Sequence, residues 1–137
     1  MKVERSRRII RLKRKALEKG HVKGRIVGTS PKLVAVAVVG PVVRVDGFNV
    51  FRRTDISKLV VDPYAKFVGE ALRLGGDKFP RVRPTLASWR ALVGWASLLC
   101  PLATIHIEKQ SPQVCYIGVP TRMTSKALTL VSRRRKR

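Results

Sequence analysis

Few side chains in this 137-residue sequence are suited to acid–base or nucleophilic chemistry. The sequence holds two histidines, His21 and His106, and two cysteines, Cys100 and Cys115. His106 and Glu108 alternate with isoleucines, so in a strand they would share one face as a polar dyad. His106 and Cys115 would form a thiol–imidazole pair only if their strands were neighbours. No nucleophile-elbow sequence and no paired Cys/His spacing accompanies these residues.

Phosphate-loop and carboxylate motifs are also missing from the sequence. The runs GRIVG (24–28) and LGGD (74–77) lack the Gly-Lys-Ser/Thr ending of a phosphate loop and the dinucleotide fingerprint. The eight acidic residues are scattered, so no pair suits glycoside hydrolysis and no cluster suits a divalent cation. We therefore predict that the protein is not an enzyme, holds no metal and uses no cofactor.

Cationic side chains are the chemistry in which the sequence is rich. Thirty Lys and Arg against eight Asp and Glu give a formal net charge of +22. Self-repulsion of that size opposes compaction unless a polyanion neutralises it. Binding to phosphates releases counterions, which favours nucleic acid over an anionic membrane surface as the partner. Apolar residues make up 45% of the chain, so it is not a disordered polycation.

The candidate nucleic-acid-binding residues lie in two terminal runs and on the predicted strands between them. Phe51 beside Arg52 and Arg53 would offer an aromatic ring and a guanidinium for base stacking, although a core position for Phe48 and Phe51 is the alternative. The candidates are Arg7, Arg8, Arg11, Lys13, Arg14, Lys15, Lys23, Arg25, Phe51, Arg52, Arg53, Arg133, Arg134, Arg135, Lys136 and Arg137.

Residues 1–20 are predicted to form a basic amphipathic helix or arm. Ile9, Leu12 and Ala16 recur at helical spacing, and Gly20 is a plausible helix end. Such a helix would dock on the protein through its apolar stripe and present cations to phosphate. Lying on a membrane surface is the alternative, which the lack of aromatic anchors disfavours. Residues 132–137 are predicted to be a basic tail.

The elements between these termini predict one small domain over residues 21–131. Short β-branched runs joined by turn signals indicate a meandering antiparallel barrel, with an Asp46-Gly47 hairpin turn. A helix is predicted at about 63–74, since Asp62 and Pro63 form a helix start and Phe67, Ala71 and Leu74 share a face. A second helix is predicted at about 85–100, with Trp89 in the core. The predicted fold class is α+β.

The sequence also contains an internal echo. Gly24 precedes Lys32 in GRIVGTSPK with the same spacing by which Gly118 precedes Lys126 in GVPTRMTSK, and an apolar run follows each lysine. This pattern predicts two copies of one bent β-hairpin, with glycine where a strand must curve. Coincidence stays the alternative, because strand–turn–strand patterns are common.

Three stretches carry a resemblance to known proteins: GRIVGTSPKLVAVAVV (24–39), GFNVFRRTDISKL (47–59) and HIEKQSPQVCYIGV (106–119). They resemble a loose group of small, mostly uncharacterised bacterial proteins with Sm-like β-barrel repeats. The resemblance implies a small Sm-like antiparallel β-barrel with one or two packed helices and basic terminal arms. The chain departs from the group in a truncated second repeat and in basic rather than acidic residues at its end. The resemblance implies no settled activity.

We predict a non-catalytic nucleic-acid-binding protein that binds structured or ribosomal RNA through phosphate contacts, as part of a ribonucleoprotein. RNA is preferred over DNA by analogy with other small barrels, and no motif for reading the major groove is present. One alternative is a protein-interaction or homo-oligomerisation module that uses exposed strand edges. Another is a DNA-compacting protein. With no signal peptide and no apolar span, the expected location is the cytoplasm.

Overall fold

The structure is a computed structural model that describes residues 8–14, 20–79, 83–99, 103–106, 115–123 and 128–131. The chain divides into two compact units, Met1–Leu86 and Ala87–Arg137. The first unit contains strands β1 (Ile10–Arg14), β2 (Val22–Thr29), β3 (Leu33–Val39), β4 (Val45–Arg52) and β5 (Ile56–Val61), a 3-10 turn (Arg53–Asp55) and helix α1 (Ala65–Leu74). The second contains helix α2 (Trp89–Leu99) and strands β6 (Ala103–His106), β7 (Cys115–Met123) and β8 (Leu128–Val131). The α+β class and both predicted helices are confirmed.

The first unit is built on a five-stranded antiparallel sheet in the order β4-β3-β2-β1-β5. In a flat sheet the outer strands β4 and β5 would lie about 19 Å apart, four strand spacings. The short 3-10 turn joins the end of β4 to the start of β5, and a connection from Arg52 to Ile56 spans at most about 14 Å. The sheet must therefore curl, although the pairs among the described strands do not close it into a barrel.

The predicted helix in residues 1–20 is wrong for Ile10–Arg14, which form strand β1. Strand β1 lies inside the sheet and pairs with β2 on one side and β5 on the other. Ile10 and Leu12 point into the core and alternate with Arg11, which is the period of two of a strand. The sequence prediction missed this period because Ile9 and Leu12 are also at helical spacing. Pairing on two edges outweighs the local preference of so short a run.

Two apolar clusters hold the first unit together. The larger lies inside the curled sheet and comprises Ile10, Leu12, Ile26, Val34, Val36, Phe51 and Ile56. The smaller joins α1 to the sheet through Val68 and Leu72, which pack with Ile9 and Val39. Phe67 and Leu74, which share the predicted apolar face of the helix, are exposed instead. The helix therefore buries the neighbouring side and leaves aromatic and aliphatic groups in solvent.

The predicted turn at Asp46-Gly47 is also displaced, because these residues lie within β4. The chain reverses earlier, where the Gly40 N–H donates to the Arg44 carbonyl oxygen over 2.8 Å. Asp46-Gly47 form a bulge in the pairing between β3 and β4, and Gly47 has a φ of 76°. Such a bulge requires a glycine with positive φ. The Asp-Gly sequence therefore marks a bulge within β4 and not the loop between β3 and β4.

Replacing Gly69 with alanine should stabilise the first unit. Gly69 lies inside α1, and a Cβ built there meets no heavy atom within 4 Å. Alanine would lower the conformational entropy of the unfolded chain without steric cost, so we expect the free energy of unfolding to rise by about 0.5–1 kcal/mol. Urea denaturation checks this, and an unchanged or lower midpoint would contradict the open surroundings of Gly69.

The second unit repeats the pairing pattern of the first. Strands β6, β7 and β8 form a three-stranded antiparallel sheet. Every described pair of β7 with β8 matches a pair of β2 with β3 at one constant spacing along the chain, which is also the spacing between Gly24 and Gly118. The matched pairs are Arg25–Ala37 with Val119–Val131, Ile26–Val36 with Pro120–Leu130, Gly28–Ala35 with Arg122–Thr129, and Thr29–Val34 with Met123–Leu128. The register shift after Ile26 recurs after Pro120, which supports duplication over coincidence.

Helix α2 begins after Ser88, whose Oγ accepts the Ala91 N–H over 3.1 Å as an N-terminal cap. Leu92 is buried, but Trp89 is 46% exposed, so the predicted core position of Trp89 is wrong. Among the helices of the described residues, none combines the length and apolarity needed to cross a bilayer.

Candidate nucleic-acid interface

Two of the predicted nucleic-acid-binding cations are held by a buried carboxylate. Asp62 follows β5 and is fully buried at its side chain. Its Oδ1 accepts a hydrogen bond from Arg11 Nε over 3.1 Å, and its Oδ2 lies 3.0 Å from Lys23 Nζ. Arg11 and Lys23 are register partners on β1 and β2, so the pairing of the strands brings both cations to one acid. These two side chains stabilise the fold and are less available to phosphate.

The environment of Asp62 keeps it ionised. Burial alone would raise the pKa of the carboxyl, because it penalises the charged form. The Tyr64 N–H, which donates to Oδ1 over 3.1 Å, and the charges of Lys23 and Arg11 outweigh burial and lower the pKa below its ordinary value. Asp62 therefore joins β1, β2 and the start of α1 as an anion.

Two further predicted residues contact one another at the end of the sheet. The Arg14 guanidinium lies 4.7 Å from the centre of the Phe51 ring. Phe51 is only 6% exposed and belongs to the main core, so the prediction that it stacks on bases is wrong and the core alternative is right. Arg25 likewise lies 4.3 Å from the ring centre of Phe79, which keeps it half-buried. Arg25 is therefore an unsuitable first contact for a phosphate.

Six described cations of the first unit lie where the sheet curls. Arg52 ends β4 and pairs with Leu33, and the Arg53 N–H donates to the Lys32 carbonyl oxygen over 2.8 Å. Arg14 ends β1 opposite Ile56, the first residue of β5. We call this group the basic end, and it comprises Lys13, Arg14, Lys32, Arg52, Arg53 and Lys58.

Lys13 and Lys58 are the distinctive pair of the basic end. They lie directly opposite each other on β1 and β5, and both are exposed. Like charges directly opposed in an antiparallel pair destabilise a sheet. Neither ammonium group forms an ion pair with any residue in the described part of the chain. An external anion would therefore relieve a repulsion that the fold itself leaves in place.

Three acidic residues of the first unit are engaged away from the basic end. Asp77 Oδ2 accepts the Val45 N–H over 2.7 Å, at the opposite end of β4 from Arg52. Glu70 pairs with Arg73 on the surface of α1. Asp62 binds the two cations described above. These carboxylates fix local structure away from the basic end. Asp55, half-buried in the 3-10 turn after Arg53, lies at the basic end itself, where the six cations outnumber it.

The other predicted residues fall outside this group or outside the described residues. Arg8 is exposed just before β1. The candidates outside the described residues are Arg7, Lys15, Arg133, Arg134, Arg135, Lys136 and Arg137. Lys32 and Lys58, by contrast, belong to the basic end but were not predicted. Lys58 has no marker of its own in the sequence, because its significance comes from the register that places it against Lys13.

The structure describes two of the three residues named above as candidates for catalysis in β6 and β7. His106 and Cys115 are register partners on β6 and β7, so the condition that their strands be neighbours is met. Glu108, the other member of the proposed dyad, lies outside the described residues. Within the described ranges, no group of three or more His, Cys, Asp or Glu residues is arranged to hold a metal ion.

Comparison of the chain with known protein families, with curated proteins and with solved structures found no match.

Proposed function

We propose that this protein binds RNA through phosphate contacts made by the basic end, without catalysing a reaction. The observation that carries the proposal is the Lys13–Lys58 pair, two exposed like charges held in register, neither of which forms an ion pair among the described residues. Two backbone phosphates, one at each lysine, would replace repulsion with two charge-assisted hydrogen bonds and release counterions. The net charge of +22 supports a polyanion as the partner. Structured or ribosomal RNA, within a ribonucleoprotein, is the form of partner that we propose.

The fold that we propose for the first unit is a small Sm-like barrel. Its support is the forced curl between β4 and β5 and the contact of Arg14 on β1 with Phe51 on β4, which brings non-neighbouring strands together. Curling gathers cations from several strands at one place. A flat sheet would spread them along two edges.

Replacing both Lys13 and Lys58 with alanine should weaken RNA binding roughly tenfold at low salt, because two phosphate contacts are lost. The slope of log affinity against log salt should fall by about 1.4 for single strands or 1.8 for duplex. Removing the opposed charges should leave stability unchanged or improved. Fluorescence anisotropy with labelled RNA over a salt series, with thermal unfolding of the same samples, measures both effects.

The matched control is the Arg44→Ala/Lys78→Ala protein. It removes the same charge from the other end of β4, where Asp77 accepts a hydrogen bond from the Val45 N–H. Both Arg44 and Lys78 are exposed there. If this control weakens binding as much as the Lys13/Lys58 variant, binding depends on net charge and the basic end is no site. Preferential binding of duplex DNA over RNA would instead favour a DNA-compacting protein.

Protein interaction is the second candidate function, and the open sheet favours it. Strands β4 and β5 each pair on one edge only among the described strands, and an unpaired edge can accept a strand from another chain. Mass measurement in high salt, with and without nuclease, separates the two candidates. A larger species that survives both treatments would indicate homo-oligomerisation through strand edges, whereas one that nuclease removes would indicate assembly on RNA.

A further inference from the structure

We infer that single-stranded RNA lies along β5 from the basic end to α1, with its bases stacked on Tyr64 and Phe67. This inference rests on the proposed function and names the form of RNA that the surface suits. Unpaired bases in loops and bulges of structured RNA are available for stacking, whereas bases within a helix are not.

The two rings are exposed where the fold does not need them. Tyr64 is 61% exposed and Phe67 is 69% exposed, while α1 packs on the sheet through Val68 and Leu72. Tyr64 immediately precedes α1 and Phe67 lies in its first turn, three residues on, a spacing that places two side chains on the same side of a helix. Two adjacent exposed aromatic rings form a platform of the kind on which successive bases stack.

Tyr64 is positioned by residues whose own places are fixed. The Arg11 guanidinium lies 5.8 Å from the centre of the Tyr64 ring. Arg11 is itself held by Asp62, whose Oδ1 also accepts the Tyr64 N–H. Because both backbone and ring are held, Tyr64 presents its exposed surface with little conformational freedom to lose on binding.

A continuous surface connects the platform to the phosphate-binding pair. Lys58 and Val60 alternate along β5 and are both exposed, so they share one face of the strand. Val60 is the register partner of Arg11, which reaches Tyr64. From Lys58 to Tyr64 the chain spans at most about 20 Å. A strand a few nucleotides long therefore reaches from the lysines to both rings.

The charge around the rings selects nucleic acid over an apolar protein partner. Lys66 is exposed between Tyr64 and Phe67 in sequence, and Lys13 and Lys58 lie at the other end of the surface. Glu70, the carboxylate nearest along the helix, is paired with Arg73. Planar rings flanked by cations match a partner that combines planar bases with a polyanionic backbone.

The test compares binding of a short single-stranded oligoadenylate with binding of an abasic strand that has the same phosphodiester backbone. The full chain should bind the base-bearing strand about ten- to a hundredfold more tightly. The Tyr64→Leu/Phe67→Leu protein keeps apolar volume but loses both rings, so it should bind both strands alike and the abasic strand as the unaltered chain does. The Tyr64→Phe/Phe67→Tyr protein should restore the difference. Val42→Ala/Leu74→Ala removes exposed aliphatic groups and should change neither affinity.

Equal affinity of the unaltered chain for both strands would overturn the stacking platform, even if the Lys13/Lys58 result upholds the phosphate site. A leucine variant that still prefers the base-bearing strand would overturn it as well. Failure of the unaltered chain to bind either strand or structured RNA would refute the proposed function itself. A change in self-association, with RNA binding intact in the leucine variant, would assign the rings to a protein contact instead.

Discussion

Replacing Asp62 with alanine should lower the free energy of unfolding by about 3 kcal/mol. Removing one partner from a buried ion pair costs this much because the remaining charges keep their desolvation without their attraction. Arg11 and Lys23, at 28% and 27% side-chain exposure, would both lose their counter-ion. The Tyr64 N–H at the start of α1 would lose its acceptor in the same substitution.

Chemical denaturation, followed by the far-ultraviolet circular dichroism of the backbone, measures this loss of unfolding free energy. The control is Glu70→Ala, which removes an acid of the same charge whose pairing with Arg73 is exposed on α1 and should change stability little. Comparable losses in the two variants would show that net charge governs stability, and that the Asp62 site has no special part in it.

The Asp62 carboxylate also makes the stability of the fold depend on pH in the acidic range. Because the folded-state pKa of Asp62 is lowered, its stabilisation is fully present above its unfolded pKa of about 4. It disappears as the pH falls through the lower, folded-state value. The difference in stability between the unaltered protein and the Asp62→Ala variant should therefore be constant at neutral pH and shrink in acid. A difference independent of pH down to strongly acidic conditions would mean that packing, not charge, is lost.

Local sequence pattern predicted the elements whose residues obey one periodicity. Leu33–Val39 is a run of β-branched and small residues with turn signals before it, and it forms β3 as expected. Ile10–Arg14 obeys two periodicities at once, since Leu12 is in phase with Ile9 for a helix and with Ile10 for a strand. Only the pairing with β2 and β5 decides between them, and this pairing joins residues far apart in sequence.

The residues of the candidate site were harder to predict from the sequence than the strands and helices. Composition indicated a polyanionic partner, but it did not separate Arg11 and Lys23, which serve Asp62, from Lys13, which does not. The opposition of Lys13 and Lys58 depends on register. The exposure of Phe67 depends on which side of α1 meets the sheet. The sequence predicted the side with Phe67, whereas the side with Val68 packs. Tertiary contacts made these choices.

Replacing Gly24 with alanine should be the other strongly destabilising change, with a loss of roughly 3 kcal/mol. A Cβ at Gly24 would lie 2.2 Å from the Ala37 carbonyl oxygen and 2.8 Å from Val36 Cγ1. The carbonyl belongs to the backbone of β3, so it cannot move aside without disturbing the sheet. Gly20→Ala is the control, because a Cβ there meets nothing within 4 Å. Equal denaturation midpoints for the two variants would contradict the close approach of β2 and β3.

The duplication extends this prediction to the second unit. Gly118 occupies in β7 the place that Gly24 occupies in β2, and the matched pairs and register shift follow both glycines at the same distance. If the strands curve there for the same reason, Gly118→Ala should weaken amide-exchange protection in β6, β7 and β8 while β1–β5 keep theirs. Unchanged amide-exchange protection would mean that the two units share only their strand-pairing pattern and not the close approach at the glycine. Loss confined to β6–β8 would support a close strand approach at Gly118 like the one at Gly24.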